Sequence, residues 1–173
     1  WFGNGQEDRN RLRIGCLLET PNFYPYLNAY DNLRVTATIK KMQNPKARIE
    51  EVLEYVDLKE RGKRTFRTYS LGMKQRLAVA SALLSDPEVL VLDEPTNGLD
   101  PQGIADVRNL ILDLSKQGKT VIVSSHLLGE IELIANRMLV MDKGVKLVEG
   151  DVSTLLDPKK LKVRIQTQNN AAA

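Results

Sequence analysis

Apolar and polar positions alternate along the chain between two kinds of pattern. Short continuous apolar runs predict strands buried on both faces, as in a parallel sheet. Val89-Leu90-Val91-Leu92 is such a run, and Thr120 to Val123 is another. Arg11 to Leu18 also reads as a strand, with Ile14, Cys16 and Leu18 on one face. The stretches between these runs carry helical spacing. Asn28, with Asp31 three residues on, predicts a capped helix that runs to about Met42 and is broken by Asn44-Pro45. Ala47 to Val56 places Ile49, Val52, Leu53 and Val56 at helical intervals. Ser70 predicts the cap of a helical run to Leu84. Pro101 suits a helix start, Ile104 to Leu114 is amphipathic, and Gln117-Gly118 ends it. Further on, Leu127 to Ala135 predicts a short helix. Arg137 to Met141 and Lys146 to Val148 flank Asp142-Lys143-Gly144 as a hairpin. A short helix to Leu156 and a last strand over Leu161 to Gln166 are expected after it. Trp1-Phe2-Gly3-Asn4-Gly5 reads as the end of a hairpin, and no internal repeat is found.

Composition narrows this picture. At 173 residues the chain suits one domain, or one with a small insert, and can bury a sizeable core. With 25 basic and 22 acidic residues the net charge is +3, a mixed surface rather than the footprint of a nucleic-acid binder. The single cysteine, Cys16, excludes an internal disulfide and fits a reducing compartment. Its apolar neighbours Ile14, Leu17 and Leu18 predict a small core residue. No stretch approaches 18 apolar residues, so no membrane-spanning helix is expected.

Candidate chemistry gathers at strand ends. Asp93 and Glu94 follow the apolar run at Val89 to Leu92, and Pro95 stops further pairing. Ligands of open α/β sheets sit outside the carboxyl ends of strands. An Asp there can hold Mg²⁺, and an adjacent Glu can orient or deprotonate a water. The bland alternative is a buried strand with an acidic turn. His126, the only histidine, follows the strand at Thr120 to Val123 and is either structural or catalytic. Ser70 and the free N–H groups of its helix start form an anion site, and Gly72 permits close approach. Phe23, Tyr24, Pro25, Tyr26 and Leu27 are either a satellite core or a partner groove. Lys59 to Arg64 is a charged turn with a solvated reading.

The order of these stretches resembles the nucleotide-binding subunit of ABC transporters, from roughly Arg13 to Gly150. Tyr69-Ser70-Leu71-Gly72-Met73 matches the signature sequence, and Val89 to Glu94 the Walker B strand. Thr96-Asn97-Gly98-Leu99-Asp100-Pro101 matches the D-loop and His126 the switch histidine. The resemblance implies an α/β, P-loop NTPase-like three-layer core with a mostly parallel sheet and an inserted helical subdomain. Residues 1–27 and 87–150 would form a partial ATPase core, 28–86 the helical subdomain ending in the signature helix, and 151–173 a C-terminal tail. It implies ATP and Mg²⁺ as cofactors. Asp93 would hold the metal, Glu94 and His126 would be catalytic, and Ser70, Gly72 and Asp100 would serve nucleotide held across a dimer. Glu19 stands where the family has its Q-loop glutamine, which touches the metal and the attacking water, so it too is expected at the nucleotide, adding a negative charge near two carboxylates; its other reading is a solvated loop acid. Leu71 replaces the first glycine of the common signature, which would weaken the phosphate contact. These variants resemble the bacitracin and lantibiotic export branch.

One large piece is missing. The family's phosphate loop is GxxxxGK[ST] between a strand and a helix. Gly118-Lys119-Thr120 is the near miss, but Asp113 stands five residues before Gly118, and the helix precedes rather than follows. The expectation is a subunit lacking the N-terminal phosphate-loop strand and helix, inactive alone. Its loss should also expose apolar strand edges. Expected partners are a second ATPase subunit and a transmembrane permease, with no nucleic acid, at the cytoplasmic face of the cell membrane. Alternatives are a non-catalytic remnant that docks to a membrane partner, and an ABC-type ATPase acting on DNA or ribosomes.

Overall fold

The computed structural model describes residues 13–18 and 22–157. Trp1 to Gly5, Glu19 and the strand expected over Leu161 to Gln166 lie outside them. The chain forms two compact units that divide between His126 and Leu127.

The first unit is α/β. Its strands are β1 (Ile14–Leu17), β2 (Val89–Asp93) and β3 (Thr120–Ser124), in the order β1-β2-β3. Both pairings are parallel, with Cys16 beside Val91 and Val91 beside Ile122. Helices α1 (Ala29–Ile39) and α2 (Lys46–Tyr55) follow β1, and a 3₁₀ turn (Phe66–Thr68) leads into α3 (Leu71–Leu83). Helix α4 (Pro101–Lys116) joins β2 to β3. Helix α3 buries Met73, Gln75, Leu77, Ala78, Val79, Ala80, Ala82 and Leu83, apolar nearly all round as a central helix must be. It packs so closely on β1 that a Cβ at Gly15 would stand 2.4 Å from the Ala82 carbonyl oxygen.

The helix caps follow from the sequence. Asn28 Oδ1 accepts from Asp31 N–H at 2.9 Å, while the Asp31 carboxylate turns to Arg34 at 3.3 Å. Helix α1 stops at Ile39, short of Met42, because Lys41 turns left-handed at φ 55° and Met42 N–H donates back to the Ala37 carbonyl. At the end of α3, Arg48 from α2 donates to the carbonyls of Leu83 and Leu84 at 2.7 and 3.3 Å. A cation there satisfies orphan acceptors and complements the helix dipole.

Two expectations about the sheet are corrected. Strand β2 is buried on one face only: Leu90 and Leu92 point into the core, whereas Val91 is exposed. Cys16 is exposed too, because it shares the face of Val91 and Ile122, the latter 55% exposed. Its neighbours Gly15 and Leu17 face the helices instead. Among the described residues the sheet exposes apolar surface on the face of Cys16, Val91 and Ile122, and β3, paired only with β2 and expected to be buried, has no buried residue.

The second unit holds α5 (Leu128–Ile134), the antiparallel pair β4 (Arg137–Asp142) and β5 (Val145–Asp151), and α6 (Val152–Leu155). Lys143 and Gly144, both at positive φ, make the hairpin turn, as two central left-handed residues of such a turn require. Among the described residues no helix is long and apolar enough to cross a membrane.

Candidate functional site

The parallel register of β2 and β3 sets Ser124 beside Asp93 at the carboxyl ends of both strands. Ser124 Oγ donates to Asp93 Oδ1 at 2.6 Å and accepts from Glu94 N–H at 3.0 Å. Glu94 itself turns left-handed, at φ 45°, unusual for a residue with a Cβ. Asn97 N–H donates to the Glu94 carbonyl at 3.1 Å and closes the turn. Glu94 Oε2 then lies 2.9 Å from His126 Nδ1, which donates to it when that nitrogen carries the proton. Glu94 is the more enclosed partner and His126 is exposed. Asp93, Glu94 and His126 are thus brought together, with Ser124 as the link that sequence reasoning missed. Its signal in the sequence was its place just past an apolar run, in the Ser124-Ser125 pair that precedes His126.

Ser70, Gly72 and Asp100 line a second place, a cavity of about 370 Å³ between the starts of α3 and α4. Ser70 Oγ accepts from Met73 N–H at 3.3 Å, and Asp100 Oδ1 accepts from Gly103 N–H at 3.0 Å, so each is an N-cap. Among the described residues a Cβ at Gly72 would meet nothing within 4 Å, so none of them requires glycine there. Leu71 is 46% exposed and reaches Gly98, where a Cβ would stand 3.2 Å from its Cδ2. Gly98 has φ 71°, so the loop needs glycine for its backbone as well. Tyr69 is buried and its hydroxyl donates to the Arg61 carbonyl at 3.1 Å; burial raises its pKa.

The aromatic stretch divides between its two readings. Phe23 stacks edge-on against Phe66, with Tyr69 beyond it, in a small apolar cluster. Tyr24 and Tyr26 are exposed. The loop is anchored by Asn32, a buried amide that accepts from Tyr24 N–H at 2.9 Å and donates to the carbonyls of Tyr24 and Asn28. The side chains of Lys59 to Arg64 are exposed, as a solvated turn expects, around a buried Gly62 that abuts Tyr30.

Among the described residues no group of three or more His, Cys, Asp or Glu side chains is gathered as a self-sufficient metal site. The Asp93 carboxylate, held by Ser124, suits Mg²⁺, which takes one or two carboxylates and completes its shell with water and phosphate.

Residues 10–132 match a protein family described as "AAA domain, putative AbiEii toxin, Type IV TA system". The bacitracin transport ATP-binding protein BcrA of Enterococcus faecalis is 44% identical over 83% of this chain and 46% of its own length. The lantibiotic transport ATP-binding protein SrtF of Streptococcus pyogenes is 40% identical over 83% of this chain and 62% of its own. The chain therefore spans about half the length of the first of these relatives. The structure of cbiO1 from Clostridium perfringens, part of the ABC transporter complex cbiONQ, superposes with a TM-score of 0.81 at 25% identity, covering 92% of this chain and 65% of that one. The ATP-binding cassette MJ0796, a dimer bound to ADP and Pi, gives 0.73 at 26% identity over 86% and 66%. The family match covers more than half of the sequence, so the chain belongs to this AAA-domain family, and the curated relatives it resembles are ATP-binding proteins of transporters.

Proposed function

We propose that these residues serve an ABC-transporter ATP-binding subunit that couples ATP hydrolysis in a subunit dimer to export through a separate membrane protein. The observation that carries this reading is the connected row Asp93, Ser124, Glu94 and His126 at the carboxyl ends of two parallel strands. Water attacks the γ-phosphorus, the bond to the β-phosphate oxygen breaks, and the proton of the attacking water passes to the Glu94 carboxylate. His126 holds that carboxylate in place and steadies the γ-phosphate. Asp93 would hold Mg²⁺, which would supply positive charge against the phosphates.

Ser70 and Gly72 meet the γ-phosphate carried by a second subunit, through open space and a helix N-terminus. Asp100, beside them in the same cavity, links the two sites across the dimer. Residues 1–27 with 87–150 act as the ATPase core, 28–86 as the helical subdomain, and 151–173 as a tail. The exposed Tyr24 and Tyr26 contact the permease, which places the subunit at the cytoplasmic face of the membrane. The 173 residues contain no GxxxxGK[ST], so by themselves they bind MgATP weakly and release negligible phosphate.

The test is a calorimetric titration of an intact subunit containing these residues with MgATP, beside an assay of phosphate release. Binding with release that depends on Glu94 is expected. Binding without release would favour a docking protein that no longer hydrolyses ATP. Turnover by the 173 residues alone would overturn the need for a separate phosphate loop.

A further inference from the structure

We propose that Ser124 is a positioning residue for hydrolysis, locking the Asp93 carboxylate and the Glu94 backbone into one unit; this rests on the ATPase reading above. A serine hydroxyl has one proton and two lone pairs. Its neighbours are a carboxylate oxygen at 2.6 Å and a backbone N–H at 3.0 Å. The N–H can only donate, so the hydroxyl must spend its proton on Asp93 Oδ1. One hydroxyl thus fixes the rotamer of the carboxylate and the orientation of the next peptide together.

That peptide needs fixing. Glu94 sits at φ 45°, where a residue with a Cβ is held only by its surroundings. Its N–H goes to Ser124 and its carbonyl receives Asn97 N–H. The turn held this way carries the Glu94 carboxylate to His126. The parallel pairing of Asp93 with Ser124 is what brings the hydroxyl within reach, so a residue in β3 controls two side chains of β2 and its loop. Groups around a metal-binding or catalytic carboxylate that hold it by hydrogen bonds typically matter 10- to 100-fold, in order of magnitude. The plain alternative is that serine merely ends a strand that polar residues are free to end.

Threonine and valine separate the two, because they have the same shape, both favour strands, and only one keeps a hydroxyl. Ser124→Thr and Ser124→Val are made in an intact subunit. The first reading is hydrogen–deuterium exchange of the peptide spanning residues 93–97, without nucleotide or metal. Valine should speed it about fivefold over threonine, the effect of one lost hydrogen bond. The second is steady-state hydrolysis. Valine should lower kcat by about tenfold or more with KM for ATP unchanged, and threonine should restore it. Equal exchange and equal kcat in the two variants, in a subunit whose wild type hydrolyses ATP through Glu94, would overturn this role alone. No Glu94-dependent hydrolysis in the wild type would overturn the ATPase reading, and this role with it.

Discussion

His126 Nδ1 lies 2.9 Å from Glu94 Oε2, although the two residues are 32 positions apart and leave different strands. The contact exists because β2 and β3 run parallel in register and end together. Two side chains that act through one hydrogen bond should not contribute independently. In an intact subunit, Glu94→Gln should lower the rate of phosphate release by about 10²-fold or more while nucleotide still binds. His126→Ala should also impair it, and the double variant should be little worse than the poorer single one. Single-turnover phosphate release checks this; strictly additive losses would mean that the two groups work apart.

Ser70 is asked to do two things, to cap α3 and to leave an anion site open at its start. The variants Ser70→Ala and Ser70→Asp separate them. Alanine removes the acceptor of Met73 N–H and should cost about 1 kcal/mol in urea unfolding. Aspartate caps as well as serine and suits the positive end of the helix, so stability should stay within about 0.5 kcal/mol of wild type. Its carboxylate would nevertheless repel a phosphate. ATP-driven dimerisation, followed by light scattering, should therefore be lost in Ser70→Asp although the fold is intact. Dimerisation undiminished by the charge would remove Ser70 from the nucleotide site.

Asn32 is a buried amide whose neighbours in the sequence give no hint of its role. It closes the loop of Tyr24 to Leu27 by accepting from one N–H and donating to surrounding carbonyls. Asn32→Ala would leave Tyr24 N–H and those carbonyls without that partner. A loss of about 2 kcal/mol in denaturant unfolding is expected. A loss below about 0.5 kcal/mol, the ordinary range of surface changes, would mean that the loop is held by its aromatic contacts alone.

The open face of the sheet makes a chemical prediction. Cys16 shares it with Val91 and Ile122, so its thiol should react with a soluble disulfide reagent in the native 173-residue chain, to full stoichiometry and without denaturant. Protection until unfolding would show that something covers the face. This face also marks where the sequence stopped being legible. The apolar runs located β2 and β3, the caps at Asn28 and Ser70 located two helices, and the carboxylates after Leu92 marked the site. A run of four apolar residues looks the same whether one face or both are covered, so the exposure of Val91 and Cys16 was not readable. Lys41 ended α1 early through a left-handed turn, which no residue type in that stretch demands. Ser124 and Asn32 escaped because their partners are set by tertiary register, not by spacing along the chain.

A pH-sensitive contact lies away from the site. Asp86, at φ 49° just after α3, receives Lys119 Nζ at 2.8 Å and faces Arg48 at 3.5 Å. Lys119 also donates to the Pro87 carbonyl at 2.9 Å, so one largely covered ammonium joins the end of the helical segment to the approach of β3. The hydrogen bond from Lys119, helped by its charge and that of Arg48, lowers the Asp86 pKa below its ordinary carboxylate value against a smaller opposing effect of burial. A carboxylate whose pKa is depressed by folding adds stability above its unfolded pKa and loses it as pH falls through the folded value. Because Asp86 is well exposed, solvent screens the pair and the charge contribution is small; the Pro87 bond adds to it. Lys119→Met keeps the stem and removes both donations, and should destabilise by about 1 kcal/mol at neutral pH. The gap between wild type and variant, read from urea midpoints in an intact subunit, should hold steady from pH 7 to about 5 and narrow only in the acid range where Asp86 takes up its proton. A gap that stayed constant to low pH would assign the whole effect to the Pro87 carbonyl.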